Sequence, residues 1–167
     1  VTGVQTCALP ICTHHASTIY ALASAAGKAG VAVFRISGPH AREALEGLGV
    51  TQTLTPRVAT LVSLKTPEGA TLDQALALFF PAPYSFTGED VVELQGHAGM
   101  VVQNSLLARV YALGATPAQP GEFSARAFDH GKLDLVQAEA IADLIDASTE
   151  AAARSASRSL TGAFSAE

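Results

Sequence analysis

The sequence has few cysteines and no long apolar run. Both of its cysteines, Cys7 and Cys12, lie in the first 12 of its 167 residues, which excludes a fold built on disulfides. No apolar run approaches the roughly 20 residues needed to span a bilayer, and no basic stretch precedes an apolar one at the amino terminus. We therefore expect a soluble, cytoplasmic protein that contacts no membrane.

Positive charge is also scarce. The formal net charge is -5 and the pI is about 5.5, whereas a protein that grips phosphate backbones usually carries a broad basic face. Any contact with RNA should therefore be local or made through a partner. Hydrophobic residues make up 49% of the chain, which is enough for one compact domain followed by part of a second.

Two kinds of enzyme motif are missing as well. The sequence contains no G-x-x-x-x-G-K-S/T motif, the loop that cradles nucleotide phosphates, so we predict that these residues alone do not hydrolyse GTP. His97 has no second His or Cys at ligand spacing, and His40 and His130 are isolated. We therefore predict structural or solvent-exposed histidines and no metal site.

Residues 1–12 show neither helical nor strand periodicity. They look like translated adapter sequence, so we interpret them as a non-native leader and exclude them from the fold. The alternative is an ordinary disordered amino-terminal tail.

The residues after the leader alternate between strand and helix patterns, which predicts an α/β or α+β sheet domain. Residues 75–80 are apolar at every position, so we expect a central strand that is covered on both faces. The predicted strands are residues 18–24, 31–37, 58–64, 75–80 and 91–95, and the predicted helices are residues 41–48 and 102–113.

The composition changes at Asp134, after which Ala, Leu, Ile, Glu and Asp dominate. Apolar residues then recur at helical spacing almost to the end of the chain, which predicts one long amphipathic helix with a Glu150–Arg154 ion pair. Its narrow, Ala-rich stripe requires a partner helix, and none remains before Glu167. We therefore expect the sequence to be truncated inside a second, helical domain.

Three charged residues are candidates for a binding site. Glu93 lies on a predicted strand, and a carboxylate that faces inward needs hydrogen-bond donors such as the amino and ring N–H groups of a pterin. Arg35 interrupts the apolar run of residues 31–36 and needs an anionic partner, either the glutamyl carboxylates of a folate tail or Glu93 itself. Lys132 precedes the predicted long helix. The pattern alone favours a solvated Glu93, an ion-paired Arg35 and a solvated Lys132.

Six blocks together resemble the TrmE/MnmE family of tRNA modification GTPases, and the resemblance covers nearly everything after about residue 18, in order. The blocks are TIYA (18–21), GVAVFRISG (30–38), SFTGEDVVELQGH (85–97), PGEFS (120–124), RAF (126–128) and KLDLVQAEAIADLIDA (132–147). The resemblance implies an α+β fold. A mixed β-sheet, similar to the folate-binding domain of the glycine-cleavage aminomethyltransferase, would occupy residues 13–131 and would also dimerise. Residues 132–167 would hold the first long helix of the helical domain, and the GTPase domain would be absent.

The resemblance also implies an activity, cofactors and partners. Family members bind 5-formyl- or 5,10-methylene-tetrahydrofolate and work with an FAD-dependent partner protein. They add a carboxymethylaminomethyl or aminomethyl group at C5 of the wobble uridine (position 34) of tRNA. Their GTPase uses K+ and Mg2+ at sites outside these residues. The family's folate contacts fall on Arg35, Glu93 and Lys132, with Glu93 on the pterin and the other two in orienting or charge-pairing roles.

The sequence departs from the family pattern at two turns. AGKAG at residues 26–30 replaces a Pro-Gly-Arg-Gly-Gly-like loop, and HAGM at residues 97–100 replaces a His-Gly-Gly-Pro-like turn. The first of these loops is less rich in glycine, which leaves the local shape of the pocket open. Two other functions also stay open. The chain could be a free-standing folate-dependent aminomethyltransferase, or a structural dimerisation module for which folate is incidental.

Overall fold

The computed structural model describes residues 17–161, so our interpretation of residues 1–12 lies outside the described residues. The described chain forms a sheet of six strands: β1 (Ile19–Leu22), β2 (Ala32–Ser37), β3 (Thr60–Lys65), β4 (Thr71–Phe80), β5 (Val91–Gly96) and β6 (Thr116–Pro117). Its helices are α1 (Ala41–Gly47), α2 (Met100–Ala112), α3 (Glu122–Asp129), α4 (Leu135–Asp146) and α5 (Glu150–Leu160).

The strand order across the sheet is β3-β4-β5-β2-β1-β6. Neighbouring strands are antiparallel except β1 and β6, which pair in parallel, so the sheet is mixed. The predicted α+β class, the five predicted strands and the two predicted shorter helices are confirmed. Strand β6 and helix α3 were not predicted.

One face of the sheet carries the hydrophobic core. Phe34 of β2 and Leu94 of β5 are cross-strand partners on this face, and α1 and α2 cover it with Leu45 and Leu106. All four side chains are at most 4% exposed. Burial of one side chain of this size contributes about 1.5–3 kcal/mol to the free energy of folding. The packing on this face is therefore a large contribution to the stability of the sheet.

Strand β4 lies inside the sheet, and its face opposite α1 and α2 is only partly covered. Ala75 and Ala77 are buried against the core, whereas Leu76 between them is 39% exposed. Its cross-strand partner on β3, Leu61, is 64% exposed. The prediction of a strand covered on both faces is therefore wrong here, because α1 and α2 pack on one side of the sheet only.

The predicted single long helix is wrong: residues 135–160 form two helices that pack against each other. Helix α4 ends at Asp146, and Ala147 has an extended backbone with ψ of 118°. Thr149 then caps α5, since its side chain accepts a hydrogen bond from the Ala152 N–H at 3.2 Å. A threonine cap starts a helix because its oxygen satisfies a backbone N–H that has no partner within the helix.

Helix α5 covers only part of the apolar stripe of α4. Ala140 of α4 and Ala156 of α5 are 2% and 6% exposed, whereas Ile145 of α4 is 78% exposed. The predicted pair between Glu150 and Arg154 is confirmed on the exposed face of α5. Within residues 17–161, no helix is long and apolar enough to cross a membrane.

Candidate functional site

Arg35 and Glu93 lie side by side in the middle of the sheet, on the face opposite α1 and α2. Strands β2 and β5 pair in a register that sets Arg35 directly across from Glu93. The Arg35 Nε and Nη2 atoms both donate to Glu93 Oε1, at 2.8 and 2.7 Å. Their side chains are 25% and 18% exposed. The ion pair that we weighed as one alternative for Arg35 is therefore present.

This ion pair leaves hydrogen-bonding capacity unused. Both Arg35 donors converge on Glu93 Oε1. No hydrogen bond joins Glu93 Oε2 or Arg35 Nη1 to any other described residue. Neither atom is fully buried, so both remain open to solvent. A carboxylate offers about four acceptor positions and a guanidinium five donors. The pair can therefore bind a ligand that presents both donors and acceptors.

Two aromatic rings lie near the Arg35 guanidinium. Phe86, from the loop of residues 81–90, has its ring centroid 5.3 Å from Arg35 Cζ, and Phe123 of α3 has its centroid at 5.4 Å. Both distances fall within the ~6 Å range of a cation–π interaction. Sequence reasoning gave no role to either ring, although both belong to blocks that carry the family resemblance.

Lys132 lies at the side of this arrangement and does not touch the ion pair. Its Nζ donates to the Pro83 carbonyl oxygen at 2.8 Å, and the residue is exposed. Pro83 belongs to the same 81–90 loop that carries Phe86. The structure thus joins Lys132 to the loop beside the site, while Arg35 and Glu93 meet directly.

A buried ionic network holds the 81–90 loop and α3 against the sheet. Arg126 of α3 is only 2% exposed, and its Nη1 lies 3.1 Å from both oxygens of Glu89 in the loop. Its Nη2 bonds Glu122 at 3.0 Å, and Nη1 also donates to the Ser17 carbonyl at 2.7 Å. Ser37 of β2 donates to Glu89 Oε2 at 2.8 Å. Buried charges are tolerated when they are paired in this way, so the network fixes the segments that carry Phe86 and Phe123.

His97 and His130 have structural partners. The His130 ring Nδ1 lies 2.6 Å from the Thr87 carbonyl oxygen. His97 bonds Asp73 twice, through its backbone N–H at 2.9 Å and its ring Nδ1 at 2.6 Å. A Cβ at the adjacent Gly96 would come within 2.6 Å of Asp73 Oδ2, so a side chain there would displace the carboxylate that His97 contacts. Residues 17–161 contain no group of three His, Cys, Asp or Glu side chains that could hold a metal ion.

A cavity of about 440 Å³ lies between β6 and α3. Ile19, Gln119 and Glu122 are among the residues that line it, and neither Arg35 nor Glu93 does. Its volume is within the usual range for small-molecule sites. Glu122 in its lining already accepts hydrogen bonds from Arg126 and from the Gln119 N–H.

The fold and the site define an α+β sheet domain that presents an open ion pair on one face and carries a pair of packed helices. The chain belongs to the family described as GTP-binding protein TrmE N-terminus, which matches residues 18–132. That range contains the Arg35–Glu93 pair, Lys132 and the two aromatic rings near Arg35. The resemblance found in the sequence is confirmed.

Relatives of the chain carry the name tRNA modification GTPase MnmE. The chain is 57% identical over 151 residues to the one from Psychrobacter sp. (strain PRwf-1), a match that covers 90% of this chain and 32% of the relative. It is 58% identical over 149 residues to the Acinetobacter baylyi protein (89% and 32%). For the protein of Vibrio vulnificus (strain YJ016), the identity is 57% over 150 residues (89% and 33%). The chain thus spans about a third of the length of these relatives.

Proposed function

We propose that this domain binds a reduced folate, 5-formyl- or 5,10-methylene-tetrahydrofolate, at the Arg35–Glu93 pair. The observation that carries the proposal is the unused Glu93 Oε2, an acceptor open to solvent beside a guanidinium. A pterin presents an amino group and a ring N–H that both donate to one carboxylate. The same pterin carries a carbonyl oxygen that can accept from Arg35 Nη1.

Lys132 would bind the anionic end of the folate. Its ammonium group has three donors, and the Pro83 carbonyl uses one of them. The remaining donors are available to a glutamyl carboxylate on the folate tail. Because Pro83 and Phe86 belong to one loop, a folate that reaches from Glu93 to Lys132 would lie along the 81–90 loop.

Calorimetric titration with 5-formyl-tetrahydrofolate tests the assignment. Glu93→Gln, Arg35→Gln and Lys132→Gln each remove one charge and keep an unbranched polar side chain. A hydrogen bond to a charged group contributes about 1.5–3 kcal/mol, so each variant should raise the Kd by about tenfold or more.

The matched controls are Glu150→Gln and Arg154→Gln. They make the same chemical changes in an ion pair whose side chains are 87% and 71% exposed on α5. Both controls should bind folate like the wild-type chain. A Kd that is unchanged in Glu93→Gln and Arg35→Gln would refute the site.

We also propose an activity for the whole protein, based on the names of its relatives and on the family resemblance. It would be a cytoplasmic GTPase that uses K+ and Mg2+ in a domain outside these residues. With an FAD-dependent partner, it would add a carboxymethylaminomethyl group at C5 of uridine 34 in tRNA. Mass spectrometry of tRNA nucleosides from a deletion strain should show loss of this modification. The 167 residues alone should neither hydrolyse GTP nor transfer a methylene group to an amine.

We further propose that the domain forms a homodimer. Leu61 and Leu76, a cross-strand pair on the sheet face opposite α1 and α2, are 64% and 39% exposed and would be covered by a second copy. Sedimentation of the wild-type chain and of Leu61→Glu tests this. The wild type should sediment as a dimer and Leu61→Glu as a monomer. A wild-type monomer would refute the proposal.

A further inference from the structure

We propose that Phe86 and Phe123 are positioning residues of the folate site, which act by holding the Arg35 guanidinium. The inference rests on the proposed function. Both ring centroids lie within 5.4 Å of Arg35 Cζ, and both rings come from segments outside the strands that carry Arg35 and Glu93. The rings thus add a constraint on Arg35 that the sheet itself does not supply.

The constraint matters because of the geometry of the ion pair. An arginine often binds a carboxylate with two parallel hydrogen bonds, one to each oxygen. Here Nε and Nη2 both reach Oε1, and Oε2 stays open. A guanidinium that moved freely would hydrogen-bond both Glu93 oxygens, and it would then occupy Oε2, the acceptor that a pterin needs. The attraction between the cation and the two ring faces favours the observed position.

The two rings are themselves fixed by the Arg126 network. Glu89 belongs to the loop that carries Phe86, Glu122 belongs to the helix that carries Phe123, and Arg126 bonds both carboxylates. The loop and the helix therefore approach Arg35 together. Sequence blocks 85–97, 120–124 and 126–128 supply the rings and the charges that hold them.

The competing explanation is that the rings only cover the sheet. A double-mutant cycle separates the two roles, because residues that act through each other are not additive. Phe123→Leu and Phe86→Leu keep an apolar side chain and remove the ring face. Each should weaken binding of 5-formyl-tetrahydrofolate about fivefold in the wild-type background and cause no further loss in the Arg35→Gln background.

Two further variants sharpen the test. Phe123→Tyr retains the ring and should bind like the wild type. Phe128→Leu changes another phenylalanine of α3, which is 45% exposed, and should also bind like the wild type. If Phe123→Leu fails to fold, Phe86→Leu at a 38% exposed position decides the question.

A measurement without folate probes the contact directly. Aromatic rings shift the NMR signals of protons above their faces, so the Arg35 Nε–H signal should move in Phe123→Leu and stay in place in Phe128→Leu. The Arg35→Lys variant assigns this signal by removing it. If the Arg35 Nε–H signal has its wild-type chemical shift in both Phe86→Leu and Phe123→Leu, the inference is overturned.

The outcomes also distinguish the two proposals. A wild-type chain that does not bind 5-formyl-tetrahydrofolate refutes the proposed function and, with it, the positioning role. A wild-type chain that binds, together with Leu variants of unchanged Kd, overturns the positioning role alone. A loss in Phe123→Leu that persists fully in the Arg35→Gln background also overturns it, because the ring then acts independently of Arg35.

Discussion

Replacing Arg126 by methionine should destabilise the domain strongly. The substitution keeps an unbranched side chain but removes the guanidinium that pairs with Glu89 and Glu122. Arg126 is 2% exposed and Glu89 is 10% exposed, so the Glu89 carboxylate would stay buried without its cation. Breaking a buried ion pair from one side costs about 3–5 kcal/mol. That is a large share of the 5–15 kcal/mol by which a typical domain is stable.

Urea denaturation followed by circular dichroism measures this cost. With a slope of about 2 kcal/mol per M, the Arg126→Met midpoint should fall by about 2 M. The matched control is Arg154→Met, which removes the same group from an ion pair whose side chains are 71% and 87% exposed. An exposed pair contributes at most about 1 kcal/mol, so the control should shift the midpoint by no more than about 0.5 M.

A second substitution tests the cause of the loss. Adding Glu89→Gln to Arg126→Met removes the uncompensated charge, so the double variant should be more stable than Arg126→Met alone. Equal midpoints for Arg126→Met and Arg154→Met would refute the reasoning, because they would show that breaking the buried pair costs no more stability than breaking the exposed one.

Three further predictions follow from the structure. Gly38→Ala should cost several kcal/mol in a urea titration, because φ is +134° and a Cβ would lie 2.6 Å from the Thr18 Cα. Thr149→Ala should cost about 1 kcal/mol in the same assay, since α5 loses its cap. Burial, with repulsion from Tyr111 as the smaller cause, raises the pKa of Tyr20 above 10.0. The folded state therefore favours the neutral phenol, and stability should fall as the pH rises above 10.0 through that raised pKa. Urea midpoints across this range should fall less steeply in Tyr20→Phe.

The sequence predicted those parts of the fold that depend on local periodicity. Alternation along residues 91–95 placed Glu93 on the face away from Leu94, and the structure has that arrangement. The contact between Arg35 and Glu93 was foreseen as an alternative only, because it joins residues 58 positions apart through strands that are not consecutive in the chain. No local pattern specifies that β2 pairs with β5.

The break between α4 and α5 could have been found from the sequence. Ser148 and Thr149, followed by Glu150, form a typical helix start, but the apolar spacing continues across them and favoured one helix. The spacing continues because both helices present small residues to each other. Helix α3 was missed because it is short and follows Pro120 and Gly121, which read as a turn.

The aromatic contacts with Arg35 lay beyond sequence reasoning. Phe86 and Phe123 are far apart along the chain, and each lies in a segment without strand or helix periodicity long enough to orient it. They meet at Arg35 because the buried Arg126 forms ion pairs with both the 81–90 loop and α3, which holds the two segments at the same part of the sheet. Only the assembled fold brings these groups together.

If the sheet face with Arg35 and Glu93 binds reduced folate, a crystal structure of the chain with 5-formyl-tetrahydrofolate will show the ligand there. Pterin N–H groups should lie about 3 Å from Glu93 Oε2, with the folate tail directed towards Lys132. A folate seated instead in the cavity between β6 and α3, with the Arg35–Glu93 pair untouched, would refute the site.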